Sequence, residues 1–94
     1  MESGIMSFGI TDAPIADIID EALRAHAKHG PNSMVHSGED RALAIVVEEV
    51  GEVARELNEH RLGNRTHDEF RKNMRKELVQ CGAMILTWLV RYED

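Results

Sequence analysis

Residues 39–61 read EDRALAIVVEEVGEVARELNEHR, and this stretch decides the fold. Its apolar residues recur every three or four positions, which is the spacing of one face of an α-helix. Ser37 and Asp40 resemble a capping box before the helix, and Gly63 predicts its end. We therefore predict a helix from about residue 39 to about residue 61. Its apolar face comprises Leu43, Val46, Val47, Val50, Val53, Ala54 and Leu57.

An earlier helix precedes this stretch. Thr11 suits the capping position at its start, and Pro14 suits its first turn. An apolar stripe with helical spacing follows, and the pair Gly30-Pro31 predicts the end of the helix. Residues 32–38 are predicted to form a loop between the two helices.

A third helical stretch is predicted from about residue 67 to about residue 91. Thr66 with Glu69 is a regular capping-box pair at its start. The stretch is long for a globular helix, so a break into two helices near Asn73 is a second interpretation. No segment alternates with the period of a β-strand. We predict an all-α fold, a bundle of three to four helices.

The length sets a limit on the core. The chain has 94 residues, so we expect one domain, residues 11–94, behind a flexible leader of residues 1–10. A single chain of this size has a marginal core, and oligomerisation is a common remedy. Cys81 is the one cysteine and lies in an apolar run, which indicates a buried thiol in a reducing compartment.

The charge balance excludes some partners. The chain carries 17 acidic and 11 basic residues, which argues against nucleic-acid binding through a basic surface. No apolar run is long enough to span a bilayer, and the first residues lack the pattern of a signal peptide. We expect a soluble, cytoplasmic protein that binds no membrane. An anionic substrate stays compatible with this charge, because a divalent cation can bridge carboxylates and phosphates.

Two pairs of oxygen-bearing side chains have the spacing of one helix face. Glu49 and Glu52 are three residues apart, and so are Glu77 and Gln80. Glu77 falls within an apolar stripe, where an unpaired carboxylate would be costly unless a cation neutralised it. Magnesium prefers such oxygen ligands. The stripe comprises Phe70, Met74, Leu78, Cys81, Ile85, Trp88 and Tyr92.

A structural explanation competes with this metal site. Glutamate-rich helix faces are often simply solvated. Glu77 could also pair with Arg75 of a second copy of the chain, or extend its carboxylate to solvent at the end of the stripe.

The two pairs resemble the motifs of a known family. The sequence from Glu48 to Glu52, EEVGE, is similar to the EExxE motif of the MazG-like all-α nucleoside triphosphate pyrophosphohydrolases. The sequence from Glu77 to Gln80, ELVQ, stands where that family has its ExxD motif. The order, the gap and the apolar flanks also match, and the resemblance covers roughly residues 15–92.

The resemblance implies an activity and an assembly. Such enzymes hydrolyse nucleoside or deoxynucleoside triphosphates to the monophosphate and pyrophosphate, with Mg²⁺ (or Mn²⁺ as a substitute) and water as the nucleophile. They form dimers or tetramers, so a homodimer or homotetramer is expected here. The carried-over metal ligands are Glu49, Glu52, Glu77 and Gln80. Glu48 and Glu49 are the candidate catalytic residues, with Glu48 positioning or activating water.

Arg75 and Lys76 precede the second pair and are the candidate substrate-binding residues, since they could meet the triphosphate. A solvated basic face is the alternative for both.

Gln80 departs from the family pattern, because glutamine lacks the negative charge of the usual aspartate. Three consequences stay open. The site could hold one metal ion, it could recruit Glu56 or Glu48, or the protein could bind nucleotides with weakened turnover. A non-enzymatic helical oligomerisation module is the further alternative.

Overall fold

The computed structural model describes residues 9–93, which form three long helices. These are α1 (Asp12–His29), α2 (Glu39–Arg61) and α3 (His67–Val90). Two 3-10 turns, Gly30–Asn32 and Met34–His36, connect α1 to α2. No strand occurs within residues 9–93, so the predicted all-α class is confirmed, with three helices. Most of the predicted leader lies outside the described residues.

Local signals set most of the helix ends. α1 ends at Gly30, which has a positive φ of 51° that suits glycine. α3 begins with the predicted capping box: the Glu69 N–H donates to Thr66 Oγ1 at 3.1 Å, and the Thr66 N–H donates to Glu69 Oε1 at 2.8 Å. Thr11 precedes α1 in an extended conformation, but its side chain makes no capping hydrogen bond.

One local prediction was wrong, and one alternative interpretation is excluded. Ser37 does not cap α2, because its hydroxyl donates to the Met34 carbonyl oxygen at 2.7 Å, and Gly38 takes the capping position. α3 also runs without a break through Asn73. The Asn73 side chain donates to Glu56 of α2 at 3.0 Å, so this residue joins two helices instead of interrupting one.

α3 is the central helix. Both α1 and α2 pack against it, while α1 and α2 make few contacts with each other. Asp17 near the start of α1 pairs with Arg75, and His26 near its end lines a depression with Thr87, so α1 runs parallel to α3. α2 runs antiparallel to α3, because its end meets Asn73 through Glu56 and its start meets Arg91 through Glu39. None of the helices described combines the length and the apolar character needed to cross a bilayer.

Small residues bring the helices close together. Ala42 of α2 and Ala83 of α3 are completely buried. A Cβ atom added to Gly82 would lie 3.1 Å from Ile18 Cδ1, so glycine is needed for α1 to approach this closely without a shift of Ile18.

Many large apolar side chains stay exposed on this chain. On α3 they lie roughly opposite the side that carries Gln80 and Thr87, at about 100° per residue. The buried apolar residues are only Met34, Ala42 and Ala83 among those described. The exposed stripes comprise Leu43, Val47, Val50 and Leu57 on α2, and Leu78, Ile85 and Leu89 on α3.

A polar network joins the end of α2 to the start of α3. Glu56 is buried and accepts hydrogen bonds from Asn73 Nδ2 at 3.0 Å and Arg65 Nε at 2.9 Å. These two partners hold the pKa of the Glu56 carboxyl below its usual range, Asn73 having the larger effect. The network therefore fixes the angle between the two helices that carry the candidate site.

We predict that Glu56→Ala lowers the free energy of unfolding more than Glu56→Gln, because glutamine keeps one oxygen that Asn73 or Arg65 can use. Urea denaturation measures both. When folding lowers the pKa of a carboxyl, its ionised form stabilises the folded chain, and this effect is complete at pH values above the unfolded pKa. The effect is lost as pH falls from the unfolded pKa through the lowered folded pKa. The difference between native chain and variants should therefore shrink at low pH. Equal stability of all three chains near pH 7 would contradict the network.

Candidate functional site

A cleft of about 310 Å³, the main cleft, lies between α1 and α2 with α3 as its floor. The connection between α1 and α2 crosses one end and closes it. Gln80, Met84 and Thr87 of α3 form the floor. The α1 wall consists of Glu21, Arg24, Ala25, His26 and His29, and the α2 wall consists of Arg41, Ile45 and Glu49. Asn32, Ser33 and Met34 of the connection line the closed end.

Glu49 is the acid of the main cleft whose pKa is raised. Burial raises the pKa of its carboxyl, and the negative charges of Glu77, Glu52 and Glu48 raise it further. Glu21 of α1 adds a smaller effect in the same direction. Carboxylates from all three helices therefore act on one group, and a bound cation would relieve this repulsion.

The predicted metal ligands divide between two neighbouring depressions. Glu49 and Gln80 line the main cleft from α2 and α3. Glu52 and Glu77 line a second depression of about 260 Å³, which we name the acidic recess after these two acids. The acidic recess also includes Arg55, Glu56, Arg65, Asn73 and Lys76. The two predicted pairs are thus adjacent, with one member of each pair facing each depression.

The acids do not form a ready-made metal site. Within residues 9–93, no three of the His, Cys, Asp and Glu side chains are grouped closely enough to hold a metal ion. The donor types still suit a hard cation, which takes carboxylate and amide oxygens. Glu56 is engaged by Arg65 and Asn73, so it is poorly placed to replace the missing acid at position 80.

The other predicted residues have different surroundings. Glu48 is exposed and lines neither the main cleft nor the acidic recess. Arg75 pairs with Asp17 of the same chain at 2.7 Å, so it is already engaged. Lys76 lines the acidic recess beside Glu77 and also borders a shallow depression next to Gln80. Of the two predicted substrate-binding residues, Lys76 is therefore the better placed.

Three elements meet at the closed end of the main cleft. Ser33 is buried, and its Oγ forms a hydrogen bond of 2.7 Å with Nδ1 of His26. Arg41 lines the opposite wall. Sequence reasoning did not assign these residues to the site. The predicted loop at residues 32–38 could have indicated that Ser33 lies at the site. A connection between two neighbouring helices crosses one end of the groove that separates them.

Comparison of this chain with protein-family models, with curated proteins and with solved structures found no match. The MazG-like interpretation therefore stays a proposal. Its support is the two motifs, the all-α structure and the grouping of Glu49 with Glu77 and Glu52.

The raised pKa of Glu49 predicts a pH-dependent cost to the fold. When folding raises the pKa of an acid, ionisation of that acid lowers the stability of the folded chain. This loss of stability develops as pH rises from the unfolded pKa to the raised pKa. Glu49→Gln should therefore raise the thermal midpoint of the metal-free protein at pH 7, and this gain should disappear below the unfolded pKa. Added Mg²⁺ should stabilise the native chain and have little effect on Glu49→Gln.

Glu59→Gln is the charge-matched control for this experiment. Glu59 lies on the same helix and is not among the charges that act on Glu49. The control should change neither the pH profile nor the response to Mg²⁺. A response to Mg²⁺ of equal size in all three chains would exclude Glu49 as a ligand.

Proposed function

We propose that this protein is a magnesium-dependent nucleoside triphosphate pyrophosphohydrolase of the MazG-like type. The observation that carries the proposal is the Glu49 carboxyl, which lines a cleft and is acted on by Glu77, Glu52 and Glu48. These are the acids of the two sequence motifs. A cluster of like charges with a perturbed pKa beside a cleft is typical of functional sites.

The chemistry follows from the donor set. Glu49, Glu52, Glu77 and Gln80 would hold Mg²⁺, which would bind phosphate oxygens and neutralise their charge. Lys76 would contact the phosphates from the acidic recess. Glu48 lines neither depression, so its expected part, positioning or activating water, would be played from the solvent side of Glu49. The bond that breaks lies between the α- and β-phosphates, and the products are a nucleoside monophosphate and pyrophosphate.

The first test is pyrophosphate release from a panel of canonical and modified nucleoside triphosphates, with and without Mg²⁺. We expect turnover by the native chain that needs the metal. Glu49→Gln should lower kcat/KM by about 10²-fold, because it removes a charged oxygen ligand of the proposed Mg²⁺. Gln80→Asp should raise activity by supplying the usual fourth acid.

Glu59→Gln again serves as the control and should keep native activity. Turnover only after Gln80→Asp would indicate a site weakened by glutamine. Absence of turnover from both chains, with helical content intact, would contradict the proposed activity.

A nucleotide-binding protein without efficient turnover is the second candidate. Two observations favour it: Gln80 carries no charge, and no three acids within residues 9–93 are grouped as a metal site. It predicts Mg²⁺-dependent nucleotide binding by the native chain without release of pyrophosphate.

The proposal includes a homodimer or homotetramer. The apolar stripes on the outer sides of α2 and α3 are uncovered on one chain, and Val47 is 59% exposed at the middle of its stripe. Contiguous apolar surface of this kind is typical of interfaces between copies. A non-enzymatic helical oligomer would share this property, so assembly alone does not separate the candidates.

We predict that Ile85→Glu dissociates the oligomer, because a charge would be buried at the centre of the α3 stripe. Sedimentation velocity measures the change in mass. Glu93→Gln, outside the stripe, should leave the assembly intact. A monomeric native chain would exclude this part of the proposal.

A further inference from the structure

The closed end of the main cleft has no part in the phosphate chemistry proposed above. Gln80 and Thr87 mark the two ends of the floor, and seven residues of α-helix separate them by about 10 Å. A nucleotide whose phosphates lie near Glu49 and Gln80 would therefore extend its base towards Ser33 and His26. The volume of about 310 Å³ is at the small end of the range for small-molecule sites.

Arg41 offers hydrogen-bond donors at this end. It is exposed and makes no ion pair with any residue in the range 9–93, whereas Arg24 on the facing wall is bound to Glu21. A guanidinium has five N–H donors in a planar fork and no acceptor. It therefore matches a ligand edge that presents adjacent acceptors.

His26 offers a second donor. Ser33 Oγ accepts a hydrogen bond from the Val35 N–H at 3.4 Å, which favours donation of its own hydroxyl hydrogen to His26 Nδ1. Neutral His26 then carries its ring proton on Nε2. Ser33 is buried and acts as a positioning residue for this ring.

The surfaces between these polar groups are apolar. Met34, Met84, Ile45 and Ala25 line the same part of the main cleft. Thioether and aliphatic groups can pack against the faces of a planar ring while the polar groups meet its edge.

We propose that the closed end of the main cleft recognises the base of a 6-oxopurine nucleotide, with Arg41 and His26 donating to O6 and N7. This inference rests on the proposed function and names its substrate class. A guanidinium that donates to the O6 and N7 of guanine is the commonest specific contact between arginine and a base. Adenine carries an amino group at position 6, which would set a donor against the donors of Arg41.

The test uses two ligands that differ at position 6 of the purine and in the hydrogen on the adjacent N1, which hypoxanthine carries and adenine lacks. Isothermal titration in the presence of Mg²⁺ measures binding of the α,β-methylene analogues of ITP and ATP, which resist cleavage between the α- and β-phosphates. The native chain should bind the ITP analogue about 10-fold more tightly. Arg41→Gln should reduce this ratio to near one, mainly by weakening the ITP analogue.

Three further variants complete the design. Arg61→Gln removes the same charge from α2 outside the main cleft and should keep the native ratio. Arg41→Lys keeps the charge and a donor without the planar fork and should keep only part of the preference. Ser33→Ala should lower the ratio less than Arg41→Gln, because the ring stays in place with a less defined orientation. Circular dichroism confirms that each variant is folded.

The outcomes separate this inference from the proposed function. Tight binding of both analogues with a ratio near one in the native chain would overturn base recognition and leave the proposed function standing. Equal weakening of both analogues by Arg41→Gln would assign Arg41 to the phosphates and also overturn it. If neither analogue binds but another triphosphate of the panel is hydrolysed, base recognition is overturned and the proposed function stands. If no triphosphate of the panel is bound or hydrolysed, the proposed function itself fails.

Discussion

The close packing of α1 on α3 at Gly82 is the contact on which the main cleft depends. α3 is the shared floor, and α1 and α2 are walls that barely touch each other. A Cβ added at Gly82 would lie 3.1 Å from Ile18 Cδ1, so the Ile18 side chain packs directly over this glycine. This contact holds the α1 wall against the α3 floor, and any shift of Ile18 would move the wall with it.

The chain turns polar groups inward and leaves apolar groups outside. Along α3, Asn73, Gln80 and Thr87 face the other helices, and Thr87 satisfies its hydroxyl by donating to the Ala83 carbonyl oxygen at 2.8 Å. Leu78 and Ile85 lie on the far side. This arrangement is unfavourable for a lone chain. It gathers charged and hydrogen-bonding groups around a cleft and leaves an apolar surface that the proposed second copy of the chain would cover.

Local interactions explain what was predictable from the sequence. Helix type and most helix ends depend on caps and periodicity, so Gly30 and the Thr66–Glu69 pair were identified correctly. Asn73 and Ser37 were misjudged because their roles depend on contacts with Glu56 and with a 3-10 turn. Periodicity also indicates which residues share a helix face, but it does not give the rotation of one helix against another. Periodicity therefore could not show that Glu49 and Gln80 line the main cleft whereas Glu52 and Glu77 line the acidic recess.

The few contacts between α1 and α2 have a consequence for the behaviour of the first helix. Any molecule that fills the main cleft bridges two walls that otherwise do not meet. Its binding free energy then adds to the free energy that keeps α1 docked, so occupancy and docking are thermodynamically linked. Local opening of α1 would become rarer as the cleft fills, and the amide hydrogens of this helix would exchange more slowly with solvent. Occupation of the cleft would thus be transmitted to whatever surface α1 presents on the outside of the molecule.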